Sequence, residues 1–248
     1  VTFHRTLPEP GETIEYHIHI DRFLKQGDVY LFFFHYQGYI NDELLISMRD
    51  GCAGFFTDDE VANSGGIILK KEDTAPLPVR SGFGSDFKPL VPVIKESLSD
   101  HQVQALRNGD LAAAFGPSFS GITLGRKMML PGGRMHLIDR VLELDPNGGR
   151  FQLGSIIAQA DIHPDDWFLT CHFIDDPVMP GTLMYECCAH ALRIFTQRIG
   201  WISDRDDVHY DVVIQNESDL KCRGPVTPET QKTRYEIEIK EIGYSPEP

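Results

Sequence analysis

The stretch Pro180-Gly181-Thr182-Leu183-Met184-Tyr185-Glu186-Cys187-Cys188-Ala189-His190-Ala191-Leu192-Arg193-Ile194-Phe195-Thr196-Gln197-Arg198-Ile199-Gly200 decides how this chain folds. Pro180-Gly181 opens it and Gly200 closes it, the punctuation of a helix, so Thr182 to Ile199 is predicted to be helical over about 27 Å at 1.5 Å per residue. Leu183, Met184, Tyr185, Cys187, Cys188, Ala189, Ala191, Leu192, Ile194 and Phe195 cover most of its circumference. A helix apolar nearly all round is expected to be buried nearly all round.

Working outward, Met135 to Leu144 and Arg150 to Ala160 alternate polar and apolar about the turn Pro146-Asn147-Gly148-Gly149, which predicts a hairpin before the helix. Two strands, Asp207 to Leu220 and Lys232 to Ile242, are expected after it. Antiparallel strands enclosing one long central helix form the α+β hot-dog fold. Further upstream, Thr13 to Phe23, Asp28 to Tyr36 and Glu43 to Phe56 read as a three-strand meander. From about Gly65 to Gly125 prolines and glycines interrupt every periodic run, although Ser99 and Gln102 form a capping box for one short helix.

A faint repeat links the two ends. Phe3-His4-Arg5, Pro10 and Tyr16-His17-Ile18-His19-Ile20 parallel Lys221-Cys222-Arg223, Pro228 and Tyr235-Glu236-Ile237-Glu238-Ile239. The second copy follows the buried helix, so a double hot dog is expected. Residues 1–65 would be the C-terminal strands of a first hot dog, 66–125 a Pro/Gly-rich linker with short helices, and 126–248 a second hot dog carrying the chemistry, its last strands absent. Val1 in place of Met and the Ser-Pro-Glu-Pro end fit a piece of something longer.

Composition narrows the function. The net charge of −14 speaks against nucleic acid, whose phosphates need clustered Lys and Arg. No apolar run approaches the roughly 18 residues of a membrane span. Five irregularly spaced cysteines without a CxxC pair suit reduced thiols and a cytoplasmic setting.

The chemistry sits in Trp167-Phe-Leu-Thr-Cys-His172-Phe-Ile-Asp-Asp-Pro-Val-Met-Pro-Gly181-Thr-Leu-Met-Tyr-Glu186. Eliminating water from a 3-hydroxyacyl thioester needs a base for the α-proton, and His172 starts with a pKa near working pH. Charge then gathers on the thioester oxygen, where the Gly181 N–H at a helix start could meet it, lowering the barrier by about 2.7–4 kcal/mol as in other oxyanion holes. Glu186, in an otherwise apolar helix, is expected to be desolvated and hence a reluctant acid, able to give the departing hydroxyl its proton.

The run His172-Phe173-Ile174-Asp175-Asp176-Pro177-Val178-Met179-Pro180-Gly181 resembles the 3-hydroxyacyl-acyl-carrier-protein dehydratases, and most of all their 3-hydroxydecanoyl-type branch. The resemblance implies that His172 is the catalytic histidine, Gly181 the oxyanion amide and Glu186 the acid, with Phe173, Pro177, Val178, Met179 and Pro180 against the substrate. The decanoyl-type branch has Asp at the acidic position and the general branch Glu, so this sequence combines the two. Met128 to Val141 and Arg223 to Pro228 resemble further parts of the family, and the tandem arrangement resembles the dehydratase region of bacterial polyunsaturated fatty acid synthases. The same resemblance implies dehydration of (R)-3-hydroxyacyl chains on an acyl carrier protein, without metal or organic cofactor. Each site would be completed by a second hot dog, in the same chain or in a homodimer.

On the residues alone other readings stay open. Glu186, His190, Arg193 and Gln197 share a stripe at helical spacing and could form a solvated face. His172, Cys187, Cys188 and His190 could be metal ligands, although adjacent helical cysteines point about 100 degrees apart. A Cys171–His172 nucleophile lacks an orienting third group. His17 and His19 share a strand face whose repeat carries Glu236 and Glu238, which favours a plain solvent edge, and Asp175 and Asp176 fit a turn before Pro177. A hot-dog thioesterase, or a non-catalytic hot dog that docks the carrier, is the alternative to a dehydratase.

Overall fold

Period-two alternation makes strands of the first fifty residues, and in this computed structural model, which describes residues 1–63, 65–78, 84 and 86–244, they form one sheet. The Ser-Pro-Glu-Pro end lies outside the described residues. The chain divides into two compact units, Val1–Ile68 with Asp211–Gly224 and Leu69–Tyr210 with Pro225–Pro248.

In the first unit β1 (Thr2–Phe3), β2 (Glu15–Gln26), β3 (Val29–Ile40) and β4 (Glu43–Phe55) lie antiparallel in the order β1-β4-β3-β2. Asn41 and Asp42 both take positive φ, 50° and 64°, as a tight two-residue hairpin turn requires. A short helix, α1 (Asp58–Ala62), follows behind a Thr57–Glu60 capping box. Ile40, Leu45 and Ile46 form a small core, yet Ile18, Phe23 and Phe55 remain 62, 78 and 71% exposed.

The second unit holds α2 (Lys71–Thr74), β5 (Glu96–Leu98), α3 (Asp100–Arg107), α4 (Leu111–Phe115), β6 (Arg140–Asp145), β7 (Ser155–Asp161), α5 (Trp167–Cys171), α6 (Gly181–Arg198) and β8 (Lys232–Glu238). Its sheet runs β5-β6-β7-β8, all antiparallel, with Val141 and Tyr235 both registered on Ala158. Leu183, Cys187, Ala191, Ile194 and Phe195 of α6 join Val141, Leu144, Ile156, Ala158 and Tyr235 of the strands in one core. Each large aliphatic or aromatic side chain so buried contributes about 1.5–3 kcal/mol. A long helix held against an antiparallel sheet is the hot-dog arrangement that the pattern predicts.

Several expectations change. The stretch read as a linker carries β5, α3 and α4, and places Leu98, Val103, Leu106, Leu111, Ala114 and Phe119 in the core of the second unit. The Ser99–Gln102 capping box is formed there, and Gln102 also donates to the Ala114 carbonyl at 2.9 Å. Asp207 to Leu220 is not a strand. Charged Asp206, Asp207, Asp211, Glu217 and Asp219 break its alternation, and its pairing reduces to a Thr2–Glu217 bridge with hydrogen bonds from Gln215 and Ser218 to the Phe3 and Val1 carbonyls. The hairpin strands are shorter than expected because Gly133–Met135 form a 3₁₀ turn and Gly149, Gln152 and Gly154 take positive φ. At Gly154 the backbone approaches α6 so closely that a Cβ would stand 2.3 Å from Phe195 Cζ. Nor is α6 buried all round, since Tyr185 and Leu192 stay 53 and 40% exposed.

Candidate active site

Between α5 and α6 the chain makes a tight loop whose sequence dictates its shape. His172 ends α5, its N–H donating to the Phe168 carbonyl, and Phe173 and Asp176 bond each other's backbone across the turn at 2.7 and 3.4 Å. Asp175 and Asp176 are exposed turn residues, as their place before Pro177 suggests. Val178 N–H donates to the His172 carbonyl at 2.8 Å, and His172 Nδ1 lies 2.9 Å from the Val178 carbonyl oxygen. A carbonyl can only accept, so Nδ1 is the donor, and in the neutral ring Nε2 keeps its lone pair. The ring is half-buried and tilted against the Phe173 ring at 3.8 Å between centroids.

The loop is pinned where it enters the helix. Met179 N–H donates to the Val226 carbonyl at 2.9 Å, and the buried Tyr235 hydroxyl on β8 reaches Met179 Sδ at 3.9 Å. Pro180 then starts α6 without a side-chain cap. The first backbone N–H groups of a helix have no partner within it, and Gly181 N–H has no acceptor among the described residues. It is a free donor at the positive end of an 18-residue helix.

Of the residues expected against substrate, Phe173 is 55% exposed, Pro177, Val178 and Pro180 are half-buried, and Met179 is buried. Met179 also lines a cavity of about 280 Å³ with apolar Leu137, Ala160, Ile162 and Phe168 and polar Arg134 and His163. His172, Gly181 and Glu186 do not line that cavity.

Glu186 sits one turn into α6, its side chain 34% exposed, with His190 Nε2 3.2 Å from Oε1. The expectation of a reluctant acid is reversed. His190 beside it, aided by the charge of Arg193, outweighs burial and holds the carboxyl below its ordinary value. The stripe Glu186–His190–Arg193–Gln197 is not a solvated face either: His190 and Gln197 are fully buried, Gln197 donating to the Met128 carbonyl at 2.6 Å. The helical spacing that sets His190 on one stripe with Glu186 holds, but the burial of His190 does not follow from it. Burial pushes the Cys187 thiol up to about 12 and also raises Cys188. Cys171 Sγ turns to the Phe168 carbonyl, 3.8 Å away. Among the described residues no hydrogen bond or ion pair joins His172 to Glu186, and no three of His, Cys, Asp and Glu converge as a metal site requires. None of the described helices is long and apolar enough to cross a membrane.

Residues 130–248, which hold the loop, α6 and the three longer strands of the second sheet, match the family model of the FabA-like domain. Over 255 aligned residues, 98% of this chain, the sequence is 35% identical to a polyunsaturated fatty acid synthase subunit from Thraustochytrium sp.. The chain spans 16% of the length of that relative. Residues 130–248 are therefore a FabA-like domain with the hot-dog fold.

Proposed function

We propose that this chain dehydrates (R)-3-hydroxyacyl thioesters carried by an acyl carrier protein to the trans-2-enoyl thioesters, as part of a fatty acid or polyunsaturated fatty acid synthase. His172 Nε2 removes the α-proton, the Gly181 N–H meets the charge that gathers on the thioester oxygen, and Glu186 delivers a proton to the departing hydroxyl. The observation that carries this reading is the bond from His172 Nδ1 to the Val178 carbonyl, which fixes the tautomer a base needs. The reaction is a proton transfer and a C–O cleavage that these groups can perform without metal or organic cofactor. Phe173, Pro177, Val178, Met179 and Pro180 form the wall against which the acyl thioester lies.

Beside His190 the Glu186 carboxyl is ionised by preference, so its acid form must be favoured once the slot is closed and dry. A second hot dog, in the same chain or in a homodimer, supplies that closure and pairs each histidine with an acid from its neighbour. Residues 1–65 we read as closing strands of such a hot dog, supported by the repeat that matches Tyr16–Ile20 of β2 to Tyr235–Ile239 at β8 and by the open apolar side chains of the first sheet. The setting is cytoplasmic, and with a net charge of −14 the docking of an acidic carrier requires a local basic patch to overcome the global repulsion.

The test is turnover of 3-hydroxyacyl and enoyl thioesters by the purified chain, expected to vanish in His172→Ala. Unchanged turnover in that variant sinks the assignment. Release of free thiol would point to a thioesterase, and carrier binding without turnover to a scaffold.

A further inference from the structure

The peptide unit between Val178 and Met179 is held at both of its ends. Its carbonyl oxygen accepts from His172 Nδ1 at 2.9 Å, and its N–H donates to the Val226 carbonyl at 2.9 Å. The unit is trans and therefore planar, with C=O and N–H pointing opposite ways, so whatever turns the Met179 N–H turns the Val178 carbonyl with it. Hydrogen bonds in series strengthen one another, and the pull of Val226 makes the Val178 carbonyl a better acceptor for the His172 ring. Past Met179 the chain runs through Pro180 directly into the Gly181 N–H. Base and oxyanion donor are thus aimed from one buried residue, Met179.

The Met179 side chain meets the Tyr235 hydroxyl, which stands on β8 at fixed register opposite Ala158 of β7 and is buried. Phenylalanine would fill the same space, and a hydroxyl taken out of water costs free energy unless it bonds, so packing alone does not account for tyrosine here. Burial raises the pKa of this hydroxyl, so at working pH it keeps its proton and donates. A thioether sulfur only accepts, and Met179 Sδ lies 3.9 Å from Oη. Cys187 of α6 and Thr233 of β8 also reach the hydroxyl, but neither belongs to the loop. We infer that Tyr235 is a positioning residue for the base and the oxyanion donor: its O–H, fixed on the strand, anchors Met179 Sδ and so sets the tilt of the peptide unit that orients the His172 ring and leads into Gly181. The inference rests on the reading of His172 as the base.

The experiment compares Tyr235→Phe, Met179→Leu and the double variant in the chain, with thermal melts to confirm folding. Phenylalanine removes only the hydroxyl and leucine only the sulfur, each with little change in volume. Each single variant should lower kcat roughly 2- to 10-fold, the contribution of one hydrogen bond, and Tyr235→Phe should leave KM nearly unchanged. The double variant should be no slower than the slower single, because both substitutions remove the same interaction. Without substrate, proton NMR of the chain carrying isotope-labelled histidine should show the His172 Nδ1 proton moved upfield in both single variants, a change that looser packing elsewhere would not produce. If Tyr235→Phe unfolds the chain, Met179→Leu carries both readouts, and an unmoved proton there overturns the proposal. In a folded Tyr235→Phe, parent kcat or an unmoved Nδ1 proton overturns it, as do additive losses in the double variant. An inactive His172→Ala beside a parent-like Tyr235→Phe overturns it alone, whereas full turnover in His172→Ala removes the reading beneath it as well.

Discussion

Replacing His172 by asparagine separates the two jobs its ring performs. The Nδ1–H holds the Val178 carbonyl at 2.9 Å, while Nε2 stands free as the base. Asparagine puts an N–H where Nδ1 was and nothing where Nε2 was, so His172→Asn should keep the loop and lose the chemistry. Removing a general base costs roughly 10²- to 10⁴-fold in kcat, or about 2.7–5.4 kcal/mol at 1.36 kcal/mol per decade. His172→Ala loses the same rate and also the hydrogen bond, a further destabilisation of about 0.5–1.5 kcal/mol. The rate is followed with an enoyl thioester in both directions, and the stability by urea unfolding of the same preparations. If His172→Asn turns over at close to the parent rate, or is as destabilised as His172→Ala, then the ring does not work in the orientation described.

Three other outcomes concern the second unit. Because the Glu186 carboxyl is held below its ordinary value, its contribution to stability is present above the unfolded value of about 4.3 and is lost as pH falls through the lower folded one. Urea unfolding of the parent and Glu186→Gln should accordingly differ most near neutral pH and converge in acid, and a constant difference would refute the lowered carboxyl. Alkylation at mildly alkaline pH, read by mass spectrometry, should label exposed Cys52, Cys171 and Cys222 and spare Cys187, whose thiol burial pushes up to about 12. Rapid labelling of Cys187 in the folded chain would count against the packing of α6 on the sheet. Gly154→Ala introduces a Cβ at φ +127° that meets Phe195 Cζ at 2.3 Å, so it should destabilise the second unit by about 1–3 kcal/mol, measured by chemical unfolding. Wild-type stability in that variant would mean that the turn before β7 stands off the helix.

The helix was legible because Pro180-Gly181 and Gly200 bracket it and its composition is apolar, and the meander because alternation over β2 to β4 is sustained. What could not be read was which apolar surface stays open. Tyr185 and Leu192 on α6, and Phe23 and Phe55 on the first sheet, carry the signal of burial yet stay exposed among the described residues. The Asp207–Leu220 strand was misread because strand pairing depends on an available edge as well as on alternation, and here the backbone directs its hydrogen bonds to Val1 and Phe3. In the site, the place of His172 ahead of a glycine-led helix was plain from the motif, but its tautomer was not, because it depends on where the Val178 carbonyl points. The Glu186 prediction failed in sign: burial was legible from the apolar helix, whereas the opposing effect of a buried His190 needed the side chains in space.

The most direct test of the account is hydration of a trans-2-enoyl thioester by the chain in heavy water, with the product analysed by mass and proton NMR. The account predicts a 3-hydroxyacyl thioester carrying one solvent deuterium at C2, formed by the parent and not by His172→Asn. A hydrolysed thioester, or deuterated product formed equally well without the imidazole, would contradict it.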